Sequence, residues 1–141
     1  MEWGTAMKKI VCVCLLFFLL LSLEACSQSK RDVTIDYGNS EQYTNQEMDR
    51  AIAVIKDKFL DLKGCVLHSL QYAGDEVCND NIEYCNSLDQ NEDFTECMVF
   101  HSSFQSPPNG GGAWEANRTY TWDWYLAKNG NGDWILLTYG Y

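Results

Sequence analysis

The distribution of apolar residues along the chain changes at residues 22 and 44. An unbroken apolar run at residues 10–21 follows Lys8 and Lys9, and Ala25 precedes Cys26. A basic end, an apolar middle and a small residue before the cleavage point are the order of a bacterial signal peptide. The run is shorter than the ~20 apolar residues that cross a bilayer. We therefore expect residues 1–25 to be a signal peptide that is removed after export.

The segment after the apolar run is polar. Residues 26–43 mix charges of both signs and contain Gly38. Such a composition is typical of a flexible linker. We therefore predict a tether over residues 26–43, followed by one folded domain at residues 44–141.

A helical pattern begins at residue 44. Apolar residues recur at spacings of four, three, four and three, which places them on one face of a helix: Met48, Ile52, Ile55, Phe59 and Leu62. Thr44 and Glu47 have the spacing of a capping box, in which each side chain bonds the backbone amide of the other residue. Lys63 and Gly64 are the cation and the glycine that commonly end a helix. The apolar face of this helix predicts burial against a second layer.

Four later segments have the alternation of β-strands: residues 66–72, 94–104, 118–127 and 134–141. The first alternates imperfectly, which predicts a bulge, and Asn-Gly-Asn-Gly at 129–132 predicts a hairpin turn between the last two. Residues 76–91 are ambiguous, with a short helix as one interpretation. The pattern predicts an α+β domain, in which a curved antiparallel sheet of about four strands packs around the N-terminal amphipathic helix.

Three features of this domain carry a resemblance to known proteins. They are Lys-Gly-Cys-Val-Leu at 63–67, the Pro- and Gly-rich loop at 107–112 before Trp122 and Trp124, and Gly-Asp-Trp-x-Leu-x₃-Gly-Tyr at 132–141. With them, residues 44–141 resemble small Gram-positive lipoproteins of unknown function. Their domain is similar to the cystatin-like cone shared by nuclear transport factor two and ketosteroid isomerase. The resemblance implies ligand binding or proton transfer in the mouth of the curved sheet, although the chain has fewer helices than a full-length cone.

Leu23-x-Ala25-Cys26 resembles the bacterial lipobox. This resemblance implies that Cys26 receives a diacylglyceryl group and becomes the new amino terminus. Glu24 departs from the small residue that is usual at its position. Acyl chains stabilise membrane attachment by ~0.8 kcal/mol for each buried methylene. We therefore expect a lipid-anchored protein on the extracytoplasmic face of the cell membrane, with the membrane as its first partner.

The charge and composition of the chain argue against two kinds of protein: those that bind nucleic acids and those that are disordered. The formal net charge is −10, which repels phosphate backbones and argues against nucleic acid as a partner. Hydrophobic residues make up 46% of the chain, too many for a disordered protein of this charge. A packed core is therefore expected.

Four cysteines lie beyond Cys26: Cys65, Cys78, Cys85 and Cys97. Outside the cytoplasm they are possible disulfide partners, and four thiols allow three pairings, between which the sequence does not choose. One continuous helix over 76–87 would separate Cys78 from Cys85 by ~10.5 Å, beyond disulfide reach. The spacings of the four cysteines are not those of a zinc site.

Asp89, Asn91 and Asp93 begin a calcium-loop pattern that the following residues do not continue. No metal or cofactor is predicted.

The candidates for chemistry are few. Asp123 and His101 each adjoin aromatic residues, but alternation places Asp123 on the face opposite Trp122 and Trp124, where a solvated carboxylate is expected. No G-x-S-x-G nucleophile motif is present in the sequence.

The pattern therefore favours a non-catalytic binding or accessory module, with an envelope protein or a small apolar ligand as partner. The alternative is a cone-fold enzyme or small-ligand-binding domain that uses the mouth of the sheet. Trp114 and Tyr125 are the aromatic residues expected to be available for binding, since aromatic rings supply large contact areas at low entropic cost.

Overall fold

The computed structural model describes residues 32–141, so the predicted signal peptide and Cys26 lie outside the described residues. Helix α1 runs from Asn45 to Phe59. It begins at the predicted cap: Oγ1 of Thr44 accepts the amide N–H of Glu47, and Oε2 of Glu47 accepts that of Thr44, both at 3.2 Å. One face of α1 is buried: Met48, Ala51, Ile52, Ile55 and Phe59. The chain then turns over residues 60–64 into the sheet.

Five strands form one sheet in the order β1-β2-β3-β4-β5. Their bounds are Thr34–Asp36, Val66–Tyr72, Cys97–Gln105, Thr119–Lys128 and Trp134–Gly140. The predicted bulge in β2 is confirmed, because the pairing with β3 shifts register between Leu67 and Ser69. The predicted turn between β4 and β5 is also confirmed, with Oδ1 of Asn129 accepting the amides of Asn131 and Asp133.

Strand β1 departs from the predicted antiparallel sheet of about four strands. It adds a fifth strand that runs parallel to β2, while the other neighbours are antiparallel. Residues 34–36 fall within the segment whose composition predicted a tether. Three residues are too few to show an alternation, and Ile35 gains its strand partner only from Leu70, far along the chain. The fold is therefore α+β with a mixed sheet.

Two short helices occupy the segment that the sequence left ambiguous. Helix α2 runs from Asp75 to Asp80 and helix α3 from Ile82 to Leu88. They are separated at Asn81, whose side-chain amide donates to the carbonyl of Val77 at 2.8 Å. Asparagine side chains compete in this way with the backbone bonds that continue a helix. Cys78 and Cys85 therefore belong to different helices, and the separation expected from one continuous helix does not apply.

The two faces of the sheet are covered differently. The face of β3 that carries Phe100 and Phe104 packs against α1, and the ring of Phe59 lies 5.5 Å from that of Phe104. On the other face, α2 covers Val99, whose amide donates to Sγ of Cys78 at 3.4 Å. His101, two residues along the same face, is exposed. The second face is thus part apolar and covered, part polar and open.

Trp124 lies at the centre of the layer between α1 and the sheet. It is fully buried, and its ring stacks on that of Tyr139 at 4.7 Å. Its Nε1 donates to Oγ of Ser102 at 2.8 Å, which satisfies the one polar atom of the side chain. The placement of Trp124 on the inner face agrees with the alternation of β4.

A cluster of charges joins the start of α1 to the sheet. Nζ of Lys128 donates to Oε1 of Glu96 at 2.9 Å and to Oε1 of Glu47 at 3.4 Å. The hydrogen bonds that Glu47 accepts from the Thr44 amide and from Lys128 lower the pKa of its carboxyl, although burial acts in the opposite direction. The ionised form of Glu47 is therefore stabilised by folding.

Replacing Trp124 by alanine should destabilise the protein by about 3 to 5 kcal/mol, because a fully buried tryptophan leaves a large cavity. Urea denaturation followed by circular dichroism measures the loss. Tyr141→Ala is the control, since Tyr141 is 91% exposed and should change the free energy of unfolding by no more than about 0.5 kcal/mol. Equal effects of the two substitutions would contradict the central position of Trp124.

Glu47→Gln should lower stability at pH 7 by about 0.5 to 1 kcal/mol, because glutamine keeps the capping hydrogen bonds but removes the charge. The pKa of Glu47 is lowered by folding, so its charge stabilises the fold above the ordinary value of 4.5. This contribution is lost as the pH falls through the lowered folded value.

Unfolding free energies of both proteins at pH 7 and at about pH 2.5, well below the ordinary carboxyl pKa, check this prediction: the difference should shrink at the lower pH. Glu92→Gln, at an exposed loop position, should show no such difference. A difference for Glu47→Gln that is constant with pH would contradict the proposed role of its charge.

Candidate functional site

An open groove of about 550 Å³ lies between the C-terminal half of α1 and strand β5. We call it the α1–β5 groove. Residues from the helix, the turn after it and the strand line it: Val54, Asp57, Lys58, Leu60, Asp61, Leu136, Leu137 and Tyr139. The wall formed by the helix and the turn after it carries both apolar and charged side chains.

The position of Leu60 at the end of α1 explains why it is the most exposed apolar residue of the groove. The helix stops at Phe59, which turns inward against the sheet, and Leu60 follows as the C-cap with 68% of its surface exposed. Nζ of Lys58 donates to Oδ2 of Asp61 at 2.9 Å across the same turn. This hydrogen bond lowers the pKa of the Asp61 carboxyl. Lys58 thereby offsets the charge of Asp61, and Asp57 leaves the groove with an excess of negative charge.

Strand β5 forms the other wall and one edge of the sheet. It pairs with β4 on one side and has no strand on the other within residues 32–141. Its seven residues, Trp134–Gly140, include neither a charged residue nor a proline. Most exposed strand edges carry such residues, which discourage pairing with another chain. The edge of β5 therefore lacks the residues that usually prevent the addition of a strand.

A bulge in β5 contributes to the groove. Thr138 pairs with Tyr125 and Leu136 pairs with Leu126, so Leu137 is an extra residue without a partner in β4. A bulged residue bends its strand and changes the direction of neighbouring side chains. The bulge accounts for the presence of the adjacent residues Leu136 and Leu137 in one groove wall.

Tyr139 connects the α1–β5 groove to a cluster of aromatic residues. Its ring lies 5.4 Å from that of Trp122, which also contacts Trp114 at 5.3 Å and Tyr141 at 6.3 Å. Nε1 of Trp122 is buried and has no hydrogen-bond partner within the described residues. Trp114, Trp122, Tyr139 and Tyr141 make up what we call the aromatic cluster.

The two predicted binding residues lie in different places. Trp114 is half-buried in the aromatic cluster, with its ring 4.8 Å from that of Tyr120. Tyr125 is on the opposite face of the sheet, where its ring packs edge-on against that of Tyr84 at 5.2 Å. Trp114 therefore adjoins the candidate site, and Tyr125 does not.

His101 and Asp123 are brought together by the sheet. They are direct partners in the β3–β4 register, with Nδ1 of His101 2.6 Å from Oδ1 of Asp123. Their side chains remain 47% and 39% exposed on the open face. The pair therefore lies in contact with solvent and not in an enclosed apolar cleft. Sequence reasoning identified both residues but not their pairing, which depends on the register between two strands.

The four cysteines beyond Cys26 lie in two separate regions of the domain. Cys78, Cys85 and Cys97 are fully buried together beneath α2 and α3, whereas Cys65 is half-buried elsewhere. No group of three or more His, Cys, Asp or Glu residues is arranged to hold a metal ion in the part of the chain that the structure describes. None of the helices within residues 32–141 has the length and apolar character needed to cross a membrane.

Sequence reasoning missed the α1–β5 groove. Leu60 directly follows Phe59, the last residue of the buried face of α1, and does not continue the spacing of that face, which was the available signal. Leu136 and Leu137 follow the apolar pattern of an ordinary buried strand. A bulge does not change that pattern, so the sequence did not predict it.

Comparisons of the chain with protein-family models, with curated proteins and with solved structures found no match.

Proposed function

We propose that this chain is a lipid-anchored extracytoplasmic binding protein that holds an extended, apolar and positively charged segment of a partner protein in the α1–β5 groove. One observation carries the binding proposal: a groove lined by apolar and acidic residues lies beside β5, an edge strand without charged residues. Together these features suit the addition of a strand, in which backbone hydrogen bonds give affinity and side-chain pockets give specificity.

The charge of the groove favours a cationic segment. Asp57 and Asp61 lie in its wall, with Lys58 as the only cation among the lining residues of the described chain. The net charge of the whole protein, −10, acts in the same direction over longer distances. Val54, Leu60 and Leu137 would contact apolar side chains of the same segment.

The anchor in this proposal is a lipid on Cys26. It is supported by the basic residues, the short apolar run and the lipobox-like sequence before Cys26. The eight residues 26–33, which precede β1 at Thr34, can extend over at most about 29 Å. A lipid on Cys26 would therefore hold the domain close to the membrane surface, among other envelope proteins.

We further propose that the domain is a reduced member of the cystatin-like class. Its single long helix precedes an antiparallel run of four strands, β2 to β5, connected in sequence order. The resemblance of residues 44–141 to small Gram-positive lipoproteins supports the same assignment. An enzymatic role has less support, because His101 and Asp123 lie on the open face and not in the groove.

The anchor proposal predicts that Cys26→Ser abolishes incorporation of radiolabelled palmitate in growing bacteria, because the acylated thiol is lost. The far-ultraviolet circular dichroism of the variant should match that of the natural protein, since residue 26 precedes the described domain. Cys65→Ser is the control and should retain labelling. Undiminished labelling of Cys26→Ser would contradict the proposed anchor.

The groove proposal predicts that Leu60→Lys weakens peptide binding at least tenfold. Loss of an apolar contact and repulsion of a cationic ligand together amount to about 1.4 kcal/mol. Leu88→Lys is the matched control: Leu88 is also exposed, at 41%, but does not line the groove. It should change the dissociation constant by less than about twofold, or roughly 0.4 kcal/mol.

Fluorescence anisotropy with a labelled seven-residue peptide of alternating leucine and lysine measures this binding. A second peptide of the same composition with glutamate in place of lysine should bind more weakly. Failure of the cationic peptide to bind, or equal losses in the two variants, would contradict the proposed site. Stabilisation of the protein by a small apolar dye in place of the peptide would indicate a small-ligand site instead.

A further inference from the structure

Three buried sulfur atoms lie where α2 and α3 cover the beginning of β3. Cys78 belongs to α2, Cys85 to α3 and Cys97 to β3, and each is fully buried. Sγ of Cys85 and Sγ of Cys97 are 2.9 Å apart. Sγ of Cys78 accepts the amide N–H of Val99 at 3.4 Å. The sulfurs of Cys85 and Cys97 thus form a close pair, whereas that of Cys78 is engaged by the backbone.

A separate pair of hydrogen bonds holds Cys85 and Cys97 in position. Nδ2 of Asn86 donates to the carbonyl of Phe94 at 2.8 Å, and the amide N–H of Phe94 donates to Oδ1 of Asn86 at 2.7 Å. Asn86 is the neighbour of Cys85, and Phe94 lies three residues before Cys97. The loop between the two cysteines is therefore closed without any bond between their sulfurs.

The geometry points to a modification site: Cys85 and Cys97 form an intramolecular disulfide that fixes α3 to β3, by exchange with a small-molecule disulfide. A disulfide bond measures about 2.05 Å, so closure shortens the present sulfur–sulfur distance by less than an ångström. The buried surroundings of both residues contain no other sulfur as close to either of them within the described chain.

The exchange proceeds in two steps. The Cys85 thiolate attacks one sulfur of the small disulfide, breaks its S–S bond and releases one small thiolate, which takes up the proton lost from Cys85. The Cys97 thiolate then attacks the sulfur of Cys85 in the mixed disulfide and releases the second small thiolate, which takes up the proton from Cys97. Two protein thiols are oxidised, and one small disulfide is reduced to two thiols.

The environment assigns the roles of the two cysteines. The hydrogen bond between the sulfurs lowers the pKa of the Cys85 thiol, although burial opposes this shift, and raises the pKa of the Cys97 thiol. Cys85 also lies on the short helix α3, whereas Cys97 is held within the sheet, so local opening of α3 exposes Cys85 as the attacking thiolate. Because both sulfurs are buried, the exchange requires α3 to open locally, and the closed disulfide is shielded from reductants.

Peptide mapping of the full chain tests the proposed pairing. The reduced protein is incubated with oxidised glutathione, its remaining thiols are alkylated, and it is digested after glutamate at acidic pH. Cleavage after Glu76, Glu83, Glu92, Glu96 and Glu115 places the three buried cysteines in separate peptides, 77–83, 84–92 and 97–115. The expected product is 84–92 linked to 97–115, with Cys78 alkylated in 77–83.

Two variants and a melting experiment complete the test. Cys78→Ala should retain the link, and Cys97→Ala should abolish it and leave Cys85 free or bound to glutathione. The oxidised natural protein should melt about 10 °C above its reduced form, as for a disulfide that closes a short loop.

Alkylation of both Cys85 and Cys97 in the glutathione-treated protein would overturn the proposal. So would a predominant link from either residue to Cys78 or Cys65. Since the mapping uses the natural sequence, these outcomes remain decisive even if Cys97→Ala fails to fold. They are also independent of the α1–β5 groove and of lipid on Cys26.

Discussion

The packing of α1 on the aromatic face of the sheet is the contact on which the rest of the structure depends. It fixes Trp124 inward, in contact with Phe59 and Tyr139. Because side chains alternate along a strand, this also fixes Asp123 outward, opposite His101. The same packing leaves α1 ending beside an edge strand, so that the groove is a consequence of where the apolar face of the helix stops.

Local patterns predicted most of the elements, and long-range pairing determined the rest. The cap at Thr44 and the four strands β2 to β5 were visible because each signal lies within a few neighbouring residues. Strand β1 was missed, since Ile35 is in a strand only through its pairing with a distant one. The break at Asn81 was equally hidden, because an asparagine is tolerated in short helices and its competing hydrogen bond is a property of the folded chain.

The candidate site was less predictable than the fold for a related reason. A groove consists of residues that the core leaves uncovered, and the sequence reports only which residues are apolar. Leu60 and Leu137 differ from buried leucines in position alone, one after the last turn of α1 and one in a bulge. The proposed pairing of Cys85 with Cys97 was likewise open, because the sequence allows three pairings of four cysteines. The 2.9 Å distance between their sulfurs and the Asn86–Phe94 hydrogen bonds beside them exist only in the folded chain.

The two layers on either side of the sheet are secured by different physical means. Helix α1 has 15 residues and a long buried face, so apolar burial suffices to hold it. Helices α2 and α3 have six and seven residues, too short to be stable alone. Their attachment relies on a few hydrogen bonds and on the buried sulfurs, so a covalent link is most effective there. A link at that position would stiffen the face of the sheet that α2 and α3 cover, whereas the groove lies between β5 and α1, which packs on the other face.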